Sequence, residues 1–197
     1  MKRIGILLAV VGVLALATGL EAQQTQARAK PAVAKKQAGR TKDSKIRNAM
    51  SAAPRSLAQN ATVLDWPAKP GDQPAVLRKG TNDWTCFPDD PSTPANDPQC
   101  FDKPSMEWIQ AYLAKKEPKL AAPGLGYMLR GGGSASNTDP FATKPAAGEK
   151  WMKEAPHVMV FPTGKLDPNA YGTDPRSGKP WVMWAGTPYE HLMIPVK

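Results

Sequence analysis

The chain has 197 residues and a formal net charge of +9, from 26 Lys and Arg against 17 Asp and Glu. Residues 1–60 carry 11 basic and two acidic side chains, whereas residues 61–197 carry 15 of each, so the whole excess of charge lies near the N-terminus. Residues 1–60 contain no aromatic side chain that could stack on bases, and they open with an export signal. We therefore exclude nucleic acid as a partner and expect one domain in the remaining 137 residues.

Residues 1–22 have the order of a signal peptide. A basic start precedes an apolar run over residues 4–20, and Ala22 provides a small residue for cleavage. Cleavage after Gly19 and an uncleaved anchor stay open as alternatives, because 17 residues is the lower limit for spanning a bilayer. With cleavage, we expect a periplasmic or secreted protein that is not integral to the membrane.

Residues 23–44 form a basic segment without large apolar side chains, which predicts a disordered linker before a globular domain over residues 45–197. The linker has two interpretations. It is either a solvated tether or a means of attachment to an anionic envelope surface, such as phospholipid headgroups or wall polymers.

Short elements follow in the globular part. Residues 45–60 have helical spacing interrupted by Pro54, which predicts a pair of short helices with Ser44 as the first cap. The apolar runs at 75–79 and 84–87 flank a turn of four residues and predict a β-hairpin.

The most distinct helix is predicted over residues 103–116, with Asp102 as its N-cap and Pro118 as its stop. Its apolar face is predicted from Met106, Ile109, Tyr112 and Leu113. Further strands are predicted at LGYMLR, HVMVF, WVMWA and HLMIPV. One helix, short strands and long Pro- and Gly-rich loops indicate a single small α+β domain with a mainly antiparallel sheet.

Both cysteines lie in the stretch WTCFPDDPSTPANDPQCFD, and in an oxidising compartment Cys86 and Cys100 are expected to form a structural disulfide. The same stretch contains four carboxylates that could bind calcium: Asp89, Asp90, Asp97 and Asp102. Their spacing matches no EF-hand, and Asp-Pro pairs are ordinary turn sequences, so the turn interpretation is favoured.

Both histidines occur in the pattern His-x-Met, as His157 with Met159 and His191 with Met193. Residues i and i+2 share a strand face, so each pattern would present an imidazole and a thioether together. This is a ligand set for copper, or less directly for haem, to which Met128, Met152 or Met183 could add a thioether. The alternative is that all of these side chains belong to the core.

The loop GGGSASNTDP offers Ser134, Ser136, Asn137 and Asp139. Either serine with a distant histidine and Asp139 could form a serine hydrolase site, although no GxSxG motif is present. The loop could also bind an anion through its backbone amides, or serve only as an ordered turn.

Six tryptophans stand against four Phe and four Tyr. Strand alternation predicts that Trp181 and Trp184 lie on opposite faces, so that one of them is available for a surface contact.

The blocks LRKGTNDWTCFPDD, NDPQCFD, YMLRGGGSASNTDPFAT, PHVMVFP and WAGTPYEHLMIPV resemble a group of uncharacterised exported bacterial proteins. The resemblance covers roughly residues 51–196 and implies export and the domain boundary, but no activity, cofactor or catalytic residue. We expect a non-catalytic binding or structural module, with copper binding and serine hydrolysis as alternatives; the oligomeric state is not predicted.

Overall fold

The computed structural model describes residues 40–69 and 71–196. The predicted signal peptide and residues 23–39 of the predicted linker lie outside the described residues. The helices are α1 (Lys42–Met50), α2 (Arg55–Ala58), α3 (Lys103–Leu113) and α4 (Pro168–Tyr171). The strands are β1 (Thr62–Leu64), β2 (Val76–Arg78), β3 (Thr85–Phe87), β4 (Gln99–Phe101), β5 (Gly124–Met128), β6 (Gly132–Ser134), β7 (Met152–Glu154), β8 (His157–Phe161), β9 (Trp181–Met183) and β10 (His191–Pro195). Within the described ranges, no helix has the length and apolar character needed to cross a bilayer.

Eight strands form one sheet in the order β2-β1-β3-β4-β5-β8-β10-β9, and β6 pairs with β7 in a separate hairpin. All neighbouring strands of the large sheet are antiparallel except β1 and β3, which are parallel. The predicted α+β domain with a mainly antiparallel sheet is therefore confirmed.

The predicted hairpin of residues 75–79 with 84–87 is wrong. Strand β1 lies between β2 and β3, because Val63 pairs with Arg78 on one side and with Cys86 on the other. The connecting turn instead folds over the start of β1, where a Cβ on Gly80 would lie 2.2 Å from the Thr62 amide nitrogen. Glycine at position 80 thus permits a backbone contact that a two-strand hairpin would not need.

The predicted helix pair is confirmed, but α1 begins before residue 45 and its cap is not Ser44. The Thr41 side chain accepts a hydrogen bond from the Ser44 amide, so Thr41 is the N-cap. The first helix therefore extends into the segment predicted as linker.

Helix α3 begins where predicted, because Asp102 accepts from the Ser105 amide. It ends at Leu113 and not at residue 116, since Lys115 adopts a left-handed conformation with φ of 53°. Trp108 is the buried aromatic residue of this helix, whereas Leu113, which the sequence places on the apolar face, is 69% exposed.

The large sheet has a core on each face. Helix α3 packs on one face, and the core there is mainly aromatic and Met side chains, including Phe101, Trp108 and Phe161. Helices α1 and α2 cover the other face at β1, β3 and β4, where small alanines pack with Val63 and the cysteines. The predicted disulfide joins Cys86 and Cys100, which are opposite each other in β3 and β4 and fully buried.

Candidate functional site

An open groove of about 490 Å³ lies beside the β6–β7 hairpin. Its lining includes two cations, one carboxylate and one amide: Arg130, Lys153, Glu154 and Asn96. Gly132 lies at its wall. Concave sites where a few polar groups converge are the usual places for small ligands.

Glu154 is the most constrained polar side chain of the groove. It is only 9% exposed, and its Oε1 accepts a hydrogen bond from the Ser134 hydroxyl. A Cβ at position 132 would lie 2.8 Å from Glu154 Oε2 and 2.8 Å from Met128 Cε, so the carboxylate fits against the strand because residue 132 is glycine. The hairpin therefore holds a carboxylate at a fixed position in the groove wall.

Sequence reasoning missed Glu154, although it singled out Ser134. The available signal was the alternation Met152-Lys153-Glu154, which in a strand turns Glu154 to the side opposite Lys153. This alternation is informative only if residues 152–154 form a strand. The partner strand β6 contains two glycines, so the sequence did not predict the β6–β7 hairpin.

Asp97 is a second buried carboxyl close to Gly132, since its Cβ lies 3.8 Å from the position that a Cβ on Gly132 would take. It is 2% exposed, and burial raises its pKa to about 7. The carboxyl accepts from the Asp90 amide at 2.9 Å and from the Thr93 hydroxyl at 2.5 Å, contacts that limit the rise.

Burial of Asp97 predicts that stability falls as the pH rises. An unfolded Asp loses its proton near pH 4, whereas the folded chain retains it to about pH 7, so the folded state loses stability between these values. The free energy of unfolding of Asp97→Asn relative to that of wild type should therefore be roughly 2–3 kcal/mol higher at pH 8 than at pH 5. Each pH unit between the unfolded and folded pKa values corresponds to about 1.4 kcal/mol. Urea unfolding at both pH values measures this; Asp83→Asn, at an exposed position, is the control, and equal shifts for both variants would contradict it.

The other carboxylates predicted as calcium ligands contact nearby protein groups. Asp89 pairs with Arg40 at 2.8 Å, Asp90 accepts from Ser92, and Asp102 caps α3 and accepts from the Leu125 amide. Among the residues that the structure describes, no three His, Cys, Asp or Glu side chains are grouped so that they could hold a metal ion.

The rest of the GGGSASNTDP loop packs on two tryptophans. Asn137 Oδ1 accepts from Trp181 Nε1 at 3.3 Å, and the Asn137 carbonyl accepts from the Trp184 amide at 2.9 Å. The Ser136 carbonyl accepts from Trp184 Nε1 at 3.0 Å. This part of the loop therefore positions the chain after β9.

Among the described residues, the hydrogen bonds do not join the predicted serine, histidine and aspartate into a catalytic triad. Ser134 bonds to Glu154, while Ser136 Oγ accepts from the Asp139 amide at 2.9 Å. The Asp139 carboxylate accepts from the Phe141 amide at 2.9 Å, which is an ordinary Asx-turn contact.

The prediction that Trp181 and Trp184 lie on opposite faces is wrong. Strand β9 ends at Met183, and Trp184 has φ of 53°, so strand alternation does not extend to it. Trp181 is buried and Trp184 half-buried, and both indoles pack against the core that α3 covers. Trp184 is therefore the more accessible of the two, but it belongs to the same core.

The four residues of the His-x-Met patterns share one face of neighbouring strands. Met159 is opposite Met193, His157 is opposite Pro195, and all four side chains are buried. The histidines are at opposite ends of this arrangement, on either side of the methionine pair.

His191 lies in an aromatic environment. Its ring centroid is 5.1 Å from that of Trp184, 5.2 Å from Phe161 and 5.4 Å from Trp108. Burial lowers the pKa of His191 to about 4, so the ring is neutral at physiological pH.

No protein-family description, curated protein or solved structure shows significant similarity to this chain.

Proposed function

We propose that the protein is a non-catalytic, extracytoplasmic binding module whose ligand occupies the groove at Gly132. The observation that carries the proposal is the carboxylate of Glu154, which accepts from Ser134 in the wall of a groove that Arg130 and Lys153 also line. A fixed carboxylate next to cations offers complementary contacts to a ligand that has both an acidic group and hydrogen-bond donors.

The chemistry of the groove favours a small polar ligand. Arg130 and Lys153 suit a carboxylate or phosphate, while Glu154 accepts from a hydroxyl or an ammonium group. Acidic sugars and amino acids combine these groups, and both classes occur in the bacterial envelope.

The contacts of the histidines favour binding over serine hydrolysis. A serine nucleophile needs a base oriented toward it by a third group. The Ser134 hydroxyl donates instead to Glu154, and the ring hydrogen bonds of both histidines are to backbone carbonyls and not to a serine. Ser134 is then best explained as the residue that positions Glu154.

The location outside the cytoplasm is supported by the buried disulfide. The signal peptide over residues 1–22 and the basic segment over residues 23–44 would export the domain and tether it to an anionic envelope surface. Purification of the mature chain from a periplasmic fraction tests export directly.

We expect a panel of acidic sugars and amino acids to contain ligands that raise the melting temperature of the purified chain. Glu154→Gln and Arg130→Ala should each reduce that rise by more than half, because each removes one side of the charge complementarity. The measurement is a thermal shift titration followed by calorimetry on the hits.

Arg55→Ala is the matched control, since Arg55 is exposed on α2 and does not line the groove. A rise that both groove variants retain in full would show that the ligand binds elsewhere. Labelling by a fluorophosphonate probe that is lost in Ser134→Ala would replace the binding module with a hydrolase.

A further inference from the structure

The imidazole of His157 has one satisfied and one unsatisfied nitrogen. Its side chain is fully buried, and Nδ1 lies 2.7 Å from the Ala155 carbonyl oxygen. A carbonyl only accepts, so Nδ1 carries the proton and Nε2 of the neutral ring carries a lone pair. That Nε2 is the one buried side-chain nitrogen or oxygen, among the described residues, with no hydrogen-bond partner.

Thioether side chains that could use this lone pair lie on the same face of the neighbouring strands. Met128 in β5 is directly opposite His157, and Met159 with Met193 forms the next pair on the same face. All three methionines are buried, with exposures of 7%, 5% and 1%. Cross-strand neighbours and their diagonals are within reach of long side chains, and methionine has three rotatable bonds with which to adjust.

An imidazole lone pair and thioether sulfurs form a soft ligand set. Such a set suits Cu(I), whereas calcium and magnesium need oxygen ligands and structural zinc is usually held by Cys and His. The Nδ1–H to carbonyl contact is also the arrangement that commonly orients a metal-binding histidine. The Ala155 carbonyl would fix both the tautomer and the direction of Nε2.

We propose that His157, Met128, Met159 and Met193 form a Cu(I) site inside the core of the large sheet. The site does not depend on the function proposed for the groove, because its ligands differ from the polar groups there, although the Met128 methyl group also packs against Gly132 in the groove wall. It accounts for the unsatisfied Nε2 and for the three buried methionines that share its face of the sheet.

The site differs from the set of two His-x-Met patterns. His191 is excluded because it pairs in register near Phe161, beyond Met193, and because aromatic rings surround it. Met128 is included because it is opposite His157, a relationship that depends on the pairing of β5 with β8.

The test is an anaerobic titration of the mature chain with Cu(I) in ascorbate, which leaves the disulfide intact, against a chromogenic Cu(I) chelator. We expect one Cu(I) per chain. Met128→Leu and Met193→Leu should each weaken binding at least tenfold, because leucine fills similar space without a sulfur. Both variants are expected to fold, so their result does not depend on removing the histidine.

Two variants serve as controls. Met50→Leu removes a thioether from the opposite face of the sheet and should leave Cu(I) affinity within twofold of wild type. His191→Phe should do the same, because phenylalanine suits the aromatic surroundings of that ring.

Side-chain nitrogen NMR gives a second readout that packing alone would not produce. One equivalent of Cu(I) should shift the Nε2 resonance of His157 and leave that of His191 in place. The proposal is overturned if wild type retains no Cu(I) against the chelator, if both Met→Leu variants bind as tightly as wild type, or if His191→Phe abolishes binding.

Discussion

Replacing both cysteines with alanine is expected to lower the free energy of unfolding by about 3–5 kcal/mol. Cys86 and Cys100 are 14 positions apart, and closing such a loop contributes roughly 3 kcal/mol in the chain-entropy description. Both side chains are also fully buried between α1 and the sheet, so the alanines leave space in a core made of small residues. Urea unfolding with far-UV circular dichroism measures the change.

The loss of stability should result from removal of the disulfide and not from truncation of any side chain in the sheet. Val76→Ala is a suitable control because Val76 is 55% exposed on the edge strand β2, and its cost should stay within about 0.5 kcal/mol. Wild type treated with dithiothreitol in urea should approach the midpoint of the double variant. A double variant with an unchanged midpoint and slope would contradict a structural role for the disulfide.

Features set by neighbouring residues could be predicted from the sequence. The start of α3 could be predicted because the N-cap side chain of Asp102 accepts a hydrogen bond from the amide of Ser105, three residues further along. The strands β8 and β10 follow from short apolar runs between turns, and the disulfide follows from the predicted export signal and the presence of two cysteines alone.

Features that depend on distant segments could not be predicted. Strand β1 lies between β2 and β3, which are close in sequence, and pairs with β3 in parallel. Nothing in the local sequence of residues 75–87 indicates this arrangement. The backbone amides of Thr81 and Asn82 both donate to the Asn60 carbonyl, so the turn is held by residues outside it. Local propensity therefore identified the strands but gave the wrong pairing.

The groove was missed for a related reason. Strand β6 consists of Gly132, Gly133 and Ser134, a composition that predicts a loop, because glycine has no side chain to favour the extended conformation. Gly132 leaves room that Glu154 and Met128 fill from other strands. The sequence feature that marks the groove is thus the lack of a side chain at Gly132. This feature can be interpreted only when the pairing of β6 with β7 is known.

Trp184 illustrates the limit of strand alternation. Its left-handed conformation ends the period-two pattern after Met183, and the Asn137 carbonyl, 47 positions earlier, holds its amide in place. A single sequence contains no local cue for such a contact, because tryptophan seldom adopts positive φ.

Trp108→Ala is expected to lower the free energy of unfolding by about 3–5 kcal/mol, the range for removing a buried aromatic side chain. Trp108 is 4% exposed, and its ring lies 4.7 Å from that of Phe161 and 5.4 Å from that of His191. It is stacked with Tyr112 and Trp184 as well, so it joins α3 to the sheet and to the chain after β9. Loss of near-UV circular dichroism together with a lower urea midpoint would report the change.

Leu113→Ala is the matched control on the same helix. Comparing it with Trp108→Ala shows which face of α3 packs against the sheet. The apolar pattern in the sequence places Leu113 on the buried face with Met106, Ile109 and Tyr112, and those three do pack against the core that contains Trp108. Since Leu113 is 69% exposed, its removal should cost less than about 0.5 kcal/mol. If the two substitutions cost the same, α3 does not pack on the sheet through Trp108; a difference of several kcal/mol supports the orientation that brings Trp108 and His191 into one core.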